Sequence, residues 1–194
     1  MKSINQLVQE AHQNAVNKGW WEEPRTYGEL IALVHSEVSE ALEDYRIPGR
    51  KPTDVWYEAK NINGQIVQRT DKPDGEEWKP CGIPSELADI CIRIFDVAGH
   101  YEMGEELQRA YETRDPVWEV TERFPFADNL AVIHFNLADS FRTFGWENKI
   151  NTLADALINT ESLAEFYGID LERAISEKMA YNATRPQRHG GKVL

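Results

Sequence analysis

The 194 residues are 41% hydrophobic and 28% charged, the composition of an ordinary globular protein with one sizeable core, which excludes a disordered chain. A net charge of −12 opposes any partner gripped through its phosphate backbone, so nucleic acid is not an expected ligand and a small anion needs local cations. No apolar run of about eighteen residues and no basic-then-apolar leader occurs, so neither a membrane span nor a secretion signal is expected, and the cytoplasm is the expected compartment.

Residues 3–18 place Ile4, Leu7, Val8, Ala11 and Ala15 at helical spacing before Gly19, which predicts a first amphipathic helix; Trp20 and Trp21 follow it. From Tyr27 to Tyr45, the residues Leu30, Ile31, Val34, Val38, Ala41 and Leu42 make one helical face, closed by Pro48 and Gly49. On that helix Glu37 and Asp44 fall at the border of the apolar face, with Glu40 one step further round. The period then changes. Asn63-Gly64 between strand-like flanks predicts a β-hairpin within 54–72, and a polar loop is expected from there to Pro84. Of the two cysteines, Cys81 and Cys91, neither belongs to a C-x-x-C pair or a His cluster, and both read as reduced thiols.

The stretch SELADICIRIFDVAGHY, residues 85–101, is apolar around most of its circumference, as a buried central helix is. Its polar residues Glu86, Asp89, Arg93, Asp96 and His100 nevertheless share one narrow stripe, which must face water, a partner charge or a metal. Further helices are expected at 104–113, 127–144, 148–167 and 170–183. The fold class is therefore all-α: a helical bundle with a small β-hairpin insert.

The two halves resemble each other. IALVHSEVSEAL at 31 matches LAVIHFNLADSF at 130, ELADICIRI at 86 matches TLADALINT at 152, and GEELQRA at 104 matches GIDLERA at 168. The offset falls from 99 to 66 between the first two matches, a deficit the hairpin insert accounts for. A degenerate duplication follows, with copy 1 at about 27–123 and copy 2 at about 126–194. Glu37, Glu40 and Glu86 become Asn136, Asp139 and Thr152, while Asp89 is kept as Asp155, so copy 1 holds the acidic constellation. His35 matches His134, for which packing is the expected role.

Glu37 and Glu40 leave one helix face close together, where like charges repel. E-x-x-E on one helix and E-x-x-D on the next supply four oxygen ligands suited to Mg²⁺ or Mn²⁺ if the helices pack antiparallel. Either pair alone is ordinary on a solvated helix; two on successive helices, the second otherwise apolar, are not. Lys178, Asn182 and Arg185 share one face of a later helix, followed by Arg188, His189 and Lys192 in a Gly-bearing tail suited to phosphate oxygens. Trp20, Trp21 and Arg25 can cover a nucleobase, although a Trp at a helix end is commonly core.

This ordered combination of E37-x-x-E40, E86-x-x-D89 and GIDLERAISEKMAYNATRPQRHGGK resembles the MazG-like all-α nucleoside triphosphate pyrophosphohydrolases, especially those of bacteriophages. The match spans HQNAVNKGWWEEPRTYGELIALVHSEVSEALEDYR, GIPSELADICIRIFD and the segment from Gly168 onward. The resemblance implies hydrolysis of the α-β phosphoanhydride of (d)NTPs to monophosphate and pyrophosphate, with Mg²⁺ held by Glu37, Glu40, Glu86 and Asp89 as the catalytic carboxylates. It implies that Lys178, Asn182 and Arg185 contact nucleotide or phosphates, and that chains associate as dimers or tetramers. Two departures stand out: the 45 residues between Glu40 and Glu86, and the additional 105–165 segment. Spacing does not single out the base toward water; Glu40, the more outward of its pair, is preferred. A di-iron carboxylate bundle is a poor fit because no His has a Glu three residues before it. The competing reading from another class is a non-catalytic acidic helical interaction module.

Overall fold

The computed structural model describes residues 2–60, 65–75 and 77–187, Lys60 by its backbone alone. Seven helices are formed among them: α1 (Ile4–Asn17), α2 (Tyr27–Tyr45), α3 (Ile83–His100), α4 (Gly104–Thr113), α5 (Phe126–Arg142), α6 (Trp146–Tyr167) and α7 (Leu171–Thr184). Strands β1 (Trp56–Lys60), β2 (Ile66–Thr70) and β3 (Lys79–Cys81) lie between α2 and α3. No helix among the described residues is long and apolar enough to cross a membrane.

Local chemistry sets the helix ends. Ser3 and Thr26 each form a capping box, with Gln6 and Glu29 respectively, which satisfies backbone donors that the first turn leaves unpaired. Asp170 caps α7 by accepting from the Arg173 backbone N–H at 3.0 Å. The α5–α6 corner falls earlier than the periodicity predicts. Helices expected at 127–144 and 148–167 instead end at Arg142 and resume at Trp146, because Thr143 is extended and Gly145 turns the chain at φ +82°. Helix α3 likewise starts before Ser85, since Pro84 sits in its first turn, where no N–H is needed.

The expected loop to Pro84 is corrected. Its end forms β3, so the insert is a three-stranded antiparallel sheet of order β2-β1-β3 rather than a hairpin alone. Strand β1 pairs Tyr57 with Thr70 on one side and with Pro80 on the other. A three-residue strand containing Pro has no readable alternation, and Pro is tolerated there because β3 is an edge. The Asn63-Gly64 turn lies outside the described residues.

Helix α3 is the axis of the core: Leu87, Ala88, Ile90, Ile94 and Ala98 are fully buried, and α1, α2, α6 and α7 all pack on it. Close approach of α1 depends on Gly99, where a Cβ would lie 2.4 Å from the His12 Cβ. Helices α2 and α5 run antiparallel. Tyr27 at the start of α2 hydrogen-bonds Ser140 at the end of α5, the His35 and His134 Nδ1 atoms share a hydrogen bond at 2.7 Å midway, and the Tyr45 ring stacks on Phe126 at 4.6 Å. Helix α3 packs on α7, and α6 packs on α4. Cys81 and Cys91 are buried free thiols.

Candidate metal and phosphate site

Helices α2 and α3 lie side by side, and their acidic stripes meet. Carboxylate oxygens of Glu37, Glu40 and Glu86 lie within 4.8 Å of one another. Glu37 and Glu86 are buried, at 6% and 4% exposure, and Glu40 faces solvent. This is the order expected from their positions on the helices: Glu37 at the apolar border, Glu40 further out. Asp44, also at that border, accepts the Gly82 backbone N–H at 3.1 Å and so ties α2 to the start of α3.

Burying like charges is costly, and two cations offset part of it. Arg93 Nε donates to Glu37 Oε1 at 2.9 Å. Lys178, 2% exposed on α7, places Nζ 2.7 Å from Asp89 Oδ2 and 2.7 Å from Ser85 Oγ, which in turn donates to the Pro80 carbonyl. Glu86 Oε2 is buried with no hydrogen-bond partner among the described residues. Burial pushes the Glu86 carboxyl up to about 8, opposed by Lys178 and reinforced by Asp89. Burial also raises Glu37, with Asp89 adding to it and Arg93 opposing. Lys178 is desolvated, yet the carboxylates of Asp89 and Glu86 hold it above the ordinary lysine range.

The donor set fits a hard divalent cation. All three groups in the cluster are carboxylates, and the orphaned Glu86 oxygen is the acceptor that a cation or its water would satisfy. Asp89 stands apart, neutralised by Lys178.

A cleft of about 190 Å³ opens beside this cluster between α1, α2, α3 and α7. Glu37, Glu40 and Asp89 form its acidic side, Lys79, Arg93 and Arg185 are cations in its wall, and Trp20 and Tyr181 present rings. Asn14 and Asn182 contribute amides. Arg185 is partly buried, with its guanidinium 5.6 Å from the Tyr181 ring, and burial lowers its pKa. Lys18 Nζ donates to the Ala183 and Arg185 carbonyls, both at 2.7 Å, and thereby clamps α1 to the end of α7.

The predicted residues divide by position. Asn182, Arg185, Trp20 and Lys178 all line the cleft, Lys178 with its ammonium group already paired to Asp89 and Ser85. Arg25 supports Trp20: its Nε donates to the Trp20 carbonyl at 3.0 Å and its guanidinium lies 5.4 Å from that ring. Trp21 is packed away, stacked on His100 at 3.7 Å and donating to Asp96. Arg188, His189 and Lys192 lie outside the described residues. Two cations of the site have no role assigned from the sequence. Arg93 was visible as a member of the polar stripe of α3, seven residues after Glu86, while Lys79 enters on β3, which carried no strand signal. Compared with known proteins, the chain has no match: no family model, no curated protein and no solved structure.

Proposed function

We propose that the cleft hydrolyses nucleoside triphosphates, deoxynucleotides foremost, between the α and β phosphates, releasing monophosphate and pyrophosphate. The observation that carries this reading is the buried Glu86 Oε2, without a hydrogen-bond partner among the described residues, within a three-carboxylate cluster beside a cleft walled by cations. The ordered motifs that resemble the MazG-like pyrophosphohydrolases select the reaction. Glu37, Glu40 and Glu86 are the residues that would hold Mg²⁺, with Mn²⁺ a substitute; bound there, the ion supplies charge neutralisation for the phosphates and a lowered pKa for the attacking water.

The chain's own groups take the remaining roles. Arg93 fixes the rotamer of Glu37 through their ion pair, and Lys178 holds Asp89 in place while offsetting the acidic charge. Glu40, the exposed member of the cluster, is the group able to accept a proton from water arriving through the cleft. Lys79 and Arg185 attract the polyphosphate, Arg185 the more strongly because its charge is partly desolvated. Trp20 and Tyr181 offer faces for a base, and Asn182 an amide for its edge.

The same reading includes an internal duplication with one acidic site per chain. Its support is a matched ion pair: Lys178 on α7 holds Asp89 on α3, and Arg114 at the end of α4 holds Asp155 on α6 at 2.7 Å. The sequence alignment makes Asp89 equivalent to Asp155, and it makes Lys178 equivalent to Arg114. His35 and His134, also equivalent, meet where α2 crosses α5. In copy 2 the Glu37–Arg93 pair is replaced by buried Asn136 and Asn159.

Incubation with each (d)NTP and Mg²⁺ tests the reaction. Pyrophosphate and monophosphate are expected, with turnover lost on chelation. Release of inorganic phosphate in their place, or no turnover of any nucleotide, would sink the reading and leave the acidic interaction module.

A further inference from the structure

A second cavity, of about 620 Å³, lies between α1 and α7. That is the size of pockets that enclose a whole small organic molecule, about 300 to 1,000 Å³. Cys91 and Phe95 of α3 and Leu157 of α6 form its floor, and Leu7, Ile175 and Met179 make its walls apolar. Cys91 and Phe95 point away from the face of α3 that carries Asp89 and Arg93, and none of Glu37, Glu40 and Glu86 lines this cavity.

The two ends of the cavity differ. Helices α1 and α7 run the same way, and their carboxyl ends are drawn together where Lys18 donates to the Ala183 and Arg185 carbonyls. Ala180 and Ala183 make that closed end small and apolar. The amino end is acidic. Helix α4 runs back along α1, with Gly104 against Val8 and Gln108 accepting the Asn5 N–H at 3.1 Å, so its last turn brings Tyr111 and Glu112 beside the start of α1. The Tyr111 hydroxyl donates to Glu161 of α6, and Glu172 stands in the first turn of α7. Lys2, a cation among the lining residues, lies 2.5 Å from Glu10 and is matched by it.

We infer that this cavity binds an amphipathic organic cation, an apolar chain or ring system carrying one ammonium group. The hydrocarbon lies toward Ala183 and the ammonium group lies among Glu112, Glu161 and Glu172. Charge selects the class, because an amphiphile headed by a carboxylate or a phosphate would set its anion against those three carboxylates. Length agrees with it: α7 rises about 18 Å from Leu171 to Ala183, and an extended ten-carbon chain needs about 13 Å. The site is independent of the nucleotide reading, since it uses no residue given a role in that reaction.

Titration calorimetry of the full chain with decylammonium, decanol and decyl sulfate tests the inference. Decylammonium should occupy a single site per chain, about tenfold or more tighter than decanol, and decyl sulfate should not bind. Each buried methylene is worth about fourfold in affinity, so octylammonium should bind roughly fifteenfold more weakly. Ala180→Trp, which fills the apolar end, should abolish binding while circular dichroism stays that of the parent. Glu112→Gln/Glu161→Gln/Glu172→Gln should reduce decylammonium to the affinity of decanol, and this variant decides alone if the tryptophan unfolds the chain. Glu37→Gln/Glu86→Gln should bind decylammonium as the parent does. Absence of saturable binding, decanol or decyl sulfate bound as tightly as the amine, binding that survives in a folded Ala180→Trp, binding unchanged in the triple Gln variant, or binding lost in Glu37→Gln/Glu86→Gln overturns the inference.

Discussion

Replacing Glu86 by Gln in the metal-free protein should change the pH dependence of stability far more than stability itself. In the folded chain the Glu86 carboxyl titrates at about 8, whereas in the unfolded chain it titrates in the ordinary range near 4.5. Below pH 4.5 both states hold the proton. Between the two values the folded state holds it and the unfolded state does not, so stability falls as pH rises, by about 1.4 kcal/mol per pH unit, until the folded group also ionises near pH 8. Across the window this amounts to several kcal/mol, and for a chain of this length to a melting shift on the order of 10 °C. Gln has the same shape and no proton to lose. Urea denaturation in chelator should therefore give parent and Glu86→Gln nearly equal midpoints at about pH 5, and a clear advantage to the variant at about pH 9. Glu37, raised in the same direction, leaves the variant a residual slope. Magnesium should recover the parent at high pH, because a bound cation favours the ionised carboxylate, and should help the variant less. Parallel pH curves for the two proteins, separated by a constant offset, would refute the assignment of a desolvated carboxyl group at Glu86.

Lys178→Ala should abolish turnover and destabilise the fold by roughly 3 to 5 kcal/mol, as removal of one member of a buried ion pair does, and chemical denaturation measures it. Arg185→Ala should instead leave the melting temperature almost unchanged and raise KM for the nucleotide at least tenfold, a contrast read from steady-state kinetics. Mn²⁺ titrated by magnetic resonance should show one acidic site per chain that is lost in Glu37→Gln/Glu86→Gln; saturable binding that survives in that variant removes these residues as ligands. The His35–His134 pair has the opposite pH sign to Glu86: burial lowers both imidazoles, so the stability they contribute is present above pH 6.5 and is lost as pH falls through their folded values. His134→Asn should blunt that acid-side loss in a thermal melt followed between pH 5 and pH 7, values bracketing the ordinary histidine pKa.

The parts of the site that one helix determines were legible in the sequence, and those that packing determines were not. Glu37, Glu40 and Glu86 emerge from periodicity, since the angle around a helix fixes both which carboxylate is buried and which faces the neighbouring helix. The role of Lys178 does not. Its spacing to Asn182 and Arg185 puts it on their face, but the proximity of α7 to α3 pulls its ammonium group to Asp89, and no local pattern contains that distance. Arg25 shows the same limit from the other side, because its contact with the Trp20 carbonyl depends on how the chain turns between α1 and α2. Strand β3 was invisible because three residues with a proline carry no alternation, and Lys79 was hidden with it.

The contact between Lys178 and the α3 stripe also bears on how the chain is made. Ser85 and the ammonium group that reaches it are 93 residues apart, and a ribosome adding about 5 to 20 residues per second needs roughly 5 to 20 s to cover that distance. Throughout that interval α3 has emerged with Asp89 lacking its counter-ion. Arg93 and Asp96 on the same stripe already find Glu37 on α2 and His12 on α1, so it is Asp89 alone among these that waits for α7. The ion pair that neutralises Asp89 is thereby among the last contacts that the growing chain can make.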